Sequence, residues 1–186
     1  MRYFRSVMGG VIGTVFILLS GAELAAQAKI NWLSWEEANK MAEHEKKKFL
    51  VNVYTDWCSW CKKMESNTFA DEDLARYINA NFYAIKFNAG KREDIHWNGK
   101  IYKYVPKGNR GYHELAAEIM QGQLSYPTVV FLNERMEVIQ PIPGYQDPGR
   151  FEVIISYFAG NHYKNTPWRK YAESFHDSKV VPVNGQ

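Results

Sequence analysis

The sequence predicts an α/β fold built on one mixed sheet, parallel at its centre and antiparallel at one edge. Three observations carry this expectation. Residues 49–54 and 82–87 are short runs, mostly apolar and rich in β-branched and aromatic types, the pattern of central strands buried on both faces. Segments with helical spacing of apolar residues lie before, between and after these runs. The last two strand-like runs follow each other with only a turn between them, which is the signature of a hairpin.

The elements follow in chain order. Ser34-Trp35-Glu36-Glu37 has the form of a capping box, and Trp35, Ala38, Met41 and Ala42 recur at helical spacing, so a helix is expected over 35–48. The strand 49–54 comes next, and the chain turns through Thr55-Asp56-Trp57 into a helix over 58–66. Asp71 has the character of an N-cap, followed by Leu74, Tyr77 and Ile78 as an inward face, and the strand 82–87 succeeds it. Residues 88–111 break the rhythm. Five glycines and prolines punctuate a basic, Tyr-rich stretch that reads as a loop or excursion, either touching substrate or merely decorating the surface. A helix over 112–120 turns Leu115 and Ile119 inward. Tyr126-Pro127-Thr128 leads into a strand over 129–132, a turn at Asn133-Glu134 and a strand over 136–139. Asp147-Pro148 pairs an N-cap with proline at the first helical position, opening a helix that carries Phe151, Ile154, Ile155 and Phe158 and ends at Gly160. A short helix over 168–175 precedes a tail.

The first 28 residues stand apart from this pattern. Arg2 and Arg5 give a basic start, residues 7–19 an apolar run and Ala26-Gln27-Ala28 the small residues of a cleavage site, so residues 1–28 read as a signal peptide. An uncleaved anchor is the alternative. The apolar run is shorter than the ~20 residues that span a bilayer, and Gly9, Gly10 and Gly13 weaken it. The expected location is therefore outside the cytoplasm, in the periplasm, with membrane contact only through this segment. Removing Arg2, Arg5 and Glu23 takes the net charge from +3 to +2, too small a surplus to call for a nucleic-acid partner. Residues 29–160 are expected to form one domain, with the excursion at 88–111 inserted and residues 161–186 as a C-terminal extension.

Only two cysteines exist, both in Cys58-Ser59-Trp60-Cys61. A structural disulfide stabilises mainly by closing a long loop in the unfolded chain, and this pair closes almost none. Chemistry is the better reason for it. Cys58 opens a helix, where unpaired amide N–H groups and the helix dipole favour an anion, and the thiolate is the nucleophile of disulfide exchange. Three-residue spacing brings Cys61 to the same face, within reach of a mixed disulfide formed on Cys58. Lys62 and Lys63 either add to the positive potential or simply cover a solvated turn. Trp57 and Trp60 are candidates for an apolar rim that meets substrate. The rival chemistry for a Cys-x-x-Cys is half of a zinc site, but His44, His96, His113, His162 and His176 are scattered and supply no second half. No metal and no cofactor is expected.

The strand 49–54, the run Trp57-Cys58-Ser59-Trp60-Cys61-Lys62-Lys63-Met64-Glu65 with Thr68-Phe69, and the later Tyr126-Pro127-Thr128 together resemble the thioredoxin superfamily over residues 32–160. Within it the chain is similar to the branch of exported thioredoxin-like proteins and disulfide-reductase domains. The resemblance implies a thioredoxin-like three-layer fold, a central mixed sheet with flanking helices. It implies Cys58 as the attacking sulfur, Cys61 as the resolving one, Pro127 as a cis-proline, and Tyr126 and Pro127 as backbone partners of an extended substrate. The implied activity is protein-disulfide oxidoreductase, reducing or isomerising disulfides of exported proteins, with protein thiols and disulfides and an upstream thiol electron donor as partners. The second reading is a peptide-binding or folding-helper protein on the same scaffold, without obligatory redox turnover. Two positions depart from the family pattern. Asn52 stands where many thioredoxins keep a buried Asp, and Ser59-Trp60 replaces Gly-Pro between the cysteines.

Overall fold

The computed structural model describes residues 27–180. Residues 1–26 of the expected signal peptide and residues 181–186 of the tail lie outside the described residues. The sheet has five strands in the order β1 (Trp32–Leu33), β3 (Phe82–Asn88), β2 (Lys48–Tyr54), β8 (Thr128–Leu132) and β9 (Val138–Pro143). β1 and β2 both run parallel to β3, whereas β8 and β9 are antiparallel to their neighbours. Pro141 and Pro143 are tolerated in β9 because it is an outer strand, where a missing N–H breaks no central ladder.

Two cores sandwich this sheet, and side-chain alternation along the strands divides them. Phe49, Val51 and Val53 of β2 meet helices α1 (Trp35–His44) and α4 (Glu114–Ile119) on one face. Leu50, with Val129 and Phe131 of β8, meets α2 (Ser59–Asn67), α3 (Glu72–Asn81) and α5 (Pro148–Ala159) on the other. This is the three-layer α/β architecture implied by the resemblance.

Local signals explain the helix starts. Ser34 and Glu37 close the capping box reciprocally, and Asp71 and Asp147 accept from Leu74 N–H and Arg150 N–H at 2.9 and 3.0 Å. Outside the excursion, four expectations need correction. The first helix ends at His44 rather than 48, because Lys48 begins β2, its stem buried and its Nζ 2.8 Å from Glu134. Tyr77 lies on the exposed flank of α3, and Ala75 takes the inward place beside Leu74 and Ile78. The outer strand starts at Val138, since Met136, with φ of 62°, belongs to the turn. The C-terminal helix α6 extends over Trp168–Val180, and Tyr157 of α5 holds its start by edge-to-face packing on Trp168 at 5.3 Å.

Residues 88–111 are a folded excursion rather than a plain loop. β4 (Ile95–Trp97) and β5 (Lys100–Tyr102) form a hairpin across Asn98-Gly99, both with positive φ as a type I′ turn requires. β6 (Tyr104–Val105) pairs with β7 (Tyr112–His113), so the expected helix over 112–120 begins two residues later, at Glu114. Ile95, Trp97 and Tyr102 are buried against Trp35 and Phe87, which extends the α1-side core. The sequence cue was Asn-Gly between two short runs.

His113 pins the excursion to the domain. It is fully buried; its Nδ1 accepts from Leu115 N–H at 3.2 Å, which leaves Nε2–H to donate to the Glu93 carbonyl at 3.1 Å. Burial lowers its pKa below the ordinary 6.5, with Lys91 adding to the effect, while the Glu93 bond and the charges of Glu114 and Asp94 oppose it. The unfolded chain therefore takes up a proton near pH 6.5 that the folded chain refuses, and stability falls as pH drops through that region. Urea midpoints measured at pH 7.5 and 5.0 are expected to differ less for His113→Gln than for the unsubstituted protein. An equal difference would contradict this.

Candidate functional site

β2 ends at Tyr54, and Thr55-Asp56-Trp57 turns the chain so that Cys58 N–H bonds the Thr55 carbonyl at 3.1 Å. Cys58 is then the N-cap of α2, with extended backbone and its Sγ accepting the Cys61 N–H at 3.0 Å. The two cysteines form a disulfide of 2.09 Å with their Cα atoms 5.3 Å apart. Both are nearly buried, so exposure does not tell the two sulfurs apart. Position does. The Cys58 sulfur faces the unpaired N–H groups of the helix start, and Cys61 lies one turn inside.

The two tryptophans flank this pair, and each leans on an aromatic partner. Trp57 is 54% exposed and meets Tyr126 edge-to-face at 5.9 Å, and its ring also carries the Arg110 guanidinium at 4.3 Å. Trp60 is 57% exposed and lies against Tyr145 at 5.6 Å; the Tyr145 hydroxyl accepts from Asn67. Arg110 and Tyr145 were not among the residues singled out from sequence. They stand 53 and 85 positions beyond their tryptophans, and no local pattern joins such distant residues.

β8 brings the second sequence motif to the same end of the sheet, since Thr128 pairs with Val53. The Tyr126–Pro127 peptide bond is cis. The Pro127 carbonyl accepts from Gly144 N–H at 2.8 Å, and proline has no N–H to offer. Among the described residues neither the amide nor the carbonyl of Tyr126 makes a backbone–backbone hydrogen bond. Burial raises the pKa of the Tyr126 phenol above its ordinary value.

Behind Cys61 lies a cleft of about 240 Å³ lined by Asn52, Asp56, Lys62, Glu65 and Lys86. Asn52 is buried and its Oδ1 has no hydrogen-bond partner among the described residues. An amide there cannot take up a proton. The cleft's carboxylates are Asp56, which accepts from Asn88 at 3.0 Å, and Glu65, paired with Lys86 at 2.7 Å. Among the described residues no three His, Cys, Asp or Glu side chains converge in a way that could hold a metal ion.

Comparison with known proteins bears on the whole domain. Curated relatives include an uncharacterized protein of Caenorhabditis elegans, 28% identical over 152 residues, which are 80% of this chain and 18% of that protein. Spermatogenesis-associated protein 20 of Mus musculus is 31% identical over 74 residues, 39% of this chain and 9% of its own. The chain thus spans less than a fifth of the curated relatives it matches. Among solved structures, a thioredoxin-fold protein from Helicobacter pylori superposes with a TM-score of 0.55 at 19% identity, covering 71% of this chain and 86% of that one. A DsbH oxidoreductase gives 0.50 at 16% identity, covering 76% and 91%. Both show the same fold. A family model described as a thioredoxin-like domain matches residues 35–159, a span holding all of the sheet except β1 together with every helix from α1 to α5. The chain belongs to the thioredoxin-like domain family.

Proposed function

We propose that the protein is a thiol-disulfide oxidoreductase that reduces or isomerises disulfides of exported proteins by cycling Cys58 and Cys61 between dithiol and disulfide. One observation carries the reading: the Cys58 sulfur caps α2 and accepts the Cys61 N–H, a setting that favours the thiolate. In the reduced protein, the Cys58 thiolate attacks one sulfur of a substrate disulfide, forming a mixed disulfide and expelling the other sulfur as a thiolate. Cys61 then gives up its proton and attacks the Cys58 sulfur, releasing the second substrate thiolate and leaving the intramolecular disulfide. An upstream thiol electron donor returns two electrons to restart the cycle. With Asn52 unable to act as base, the Cys61 proton passes to one of the two carboxylates lining the cleft, Asp56 or Glu65. Trp57 and Trp60 hold apolar side chains of the substrate, and Tyr126 offers its backbone to an extended segment. Export rests on the leader pattern of residues 1–28, with the periplasm as the working compartment. Among the described residues no helix is long and apolar enough to cross a membrane.

Alkylation of the reduced protein by iodoacetamide across a pH series tests the reading. One thiol is expected to titrate between about 3.5 and 7.5, below the ordinary ~8.5. An ordinary thiol at position 58 would remove the basis for the proposal. The midpoint potential against glutathione then fixes the direction. A value near -270 mV, roughly that of thioredoxin, marks a reductase, and one near about -120 mV an oxidant.

A further inference from the structure

Charge is unevenly spread over the chain. Residues 88–113 hold six Lys or Arg against two Asp or Glu, a surplus of four, whereas the whole chain has a net +3. The excursion is thus the basic part of a molecule that is otherwise close to neutral. It is also firmly built. Ile95, Trp97 and Tyr102 anchor it in the core, and the His113 N–H bonds the Ala89 carbonyl at 2.7 Å. At its tip, Gly111 packs so closely on Tyr104 and the Val105 carbonyl that a Cβ there would overlap both. The tip presents Arg110, exposed, with its guanidinium 4.3 Å over the face of Trp57, the residue before Cys58. Stacking fixes the position of the cation but uses none of its five N–H donors. Among the described residues Arg110 forms no ion pair, whereas the nearby Lys103 is paired with Asp94 at 2.9 Å. The Asp56 carboxylate, next to Trp57 in sequence, already accepts from Asn88.

Resting on the oxidoreductase reading, we propose that Arg110 is a specificity-determining residue: it recruits partner proteins whose reactive disulfide is flanked by Asp or Glu. A carboxylate beside the substrate cysteine would accept from the in-plane edge of N–H donors that stacking on Trp57 holds at the rim, while lysine-flanked disulfides would meet repulsion from the same side. Of the other charges on α2, Lys62 lines the cleft behind Cys61, and Glu65 is paired with Lys86 at 2.7 Å. Because the pair of Arg110 with a substrate carboxylate forms at a solvated rim, it changes the encounter rate more than the chemistry.

The test uses three synthetic peptides with one intramolecular disulfide, identical except that Glu, Gln or Lys flanks the cysteines. Oxidation of the reduced, unsubstituted protein by each is timed at low ionic strength. The order Glu, Gln, Lys is expected, with about threefold between successive peptides, the scale of one exposed ion pair. The Glu-to-Lys ratio should collapse towards unity in Arg110→Gln, invert in Arg110→Glu, and partly survive in Arg110→Lys. It should also shrink in about 0.5 M salt. If Arg110 only braces Trp57, Arg110→Gln slows all three peptides alike and leaves the ratio intact, which overturns the proposal. Equal rates for the three peptides with the unsubstituted protein overturn it as well. Exchange with none of them sinks the oxidoreductase reading, and this one with it.

Discussion

Cys58→Ala is expected to reduce the rate of insulin reduction in the presence of dithiothreitol to the uncatalysed background, whereas Cys61→Ala is expected to accumulate a covalent protein–substrate adduct. The two outcomes differ because the sulfurs sit differently on one helix. Cys58 faces the open N–H groups at the start of α2, and its sulfur already accepts a hydrogen bond from the Cys61 amide. Without that sulfur no thiolate meets the substrate disulfide, and nothing else in the protein replaces it, since Cys61 is the only other cysteine. In Cys61→Ala the attack still proceeds, but no sulfur is left to displace the substrate. The mixed disulfide then persists until an external thiol resolves it, and appears as a band on a non-reducing gel that dithiothreitol removes. Turnover retained by Cys58→Ala, or partner capture indifferent to both changes, would favour a binding protein on this scaffold instead. The lesion in both variants is chemical, because a bridge across three residues closes too small a loop to contribute much stability.

Phe131→Ala is expected to cost about 3 to 5 kcal/mol of folding free energy, the range for removing a large aromatic ring from a closed core. Phe131 has no exposed surface; it stacks on Phe158 at 4.1 Å and meets Phe82 at 5.7 Å. It sits opposite Leu50 in the ladder between β8 and β2, so the void would open between the central strands and α5. Little can collapse into that space, because both faces of the strand pair are already packed. Urea unfolding of the reduced protein, with fluorescence as the probe, measures the loss. A difference under about 1.5 kcal/mol, the size of a volume-conserving swap, would contradict the expectation.

Short-range chemistry explains which parts of the fold could be read from sequence. The Ser34 capping box, the Asp71 and Asp147 caps and proline at the start of α5 act within four residues, and the structure contains each bond they imply. The buried strand 49–54 is legible from its short, mostly apolar, β-branched run. Errors came where a distant partner overrode a local pattern. Lys46 to Lys48 suit a helix end, but β3 and Glu134 draw Lys48 into the sheet. The brevity of β1 conceals it, since two residues carry no periodicity and only pairing with Ala84 and Ile85 makes them a strand. In the excursion the Asn98-Gly99 signal is local and strong, yet the flanking strands are three residues each and the glycines around them read as loop.

The candidate site divides in the same way. Residue type and spacing were enough to identify Cys58 and Cys61, since a cysteine at a helix start and another one turn later is a one-dimensional pattern with direct chemical meaning. Tertiary structure alone decided what surrounds them: Arg110 on Trp57, Tyr145 on Trp60, and the cleft joining Asn52 to Glu65 and Lys86. Those groups meet because strand order and an inserted pair of hairpins bring together segments dozens of residues apart. Side-chain periodicity reports which face of an element is buried, but not which distant element will cover it.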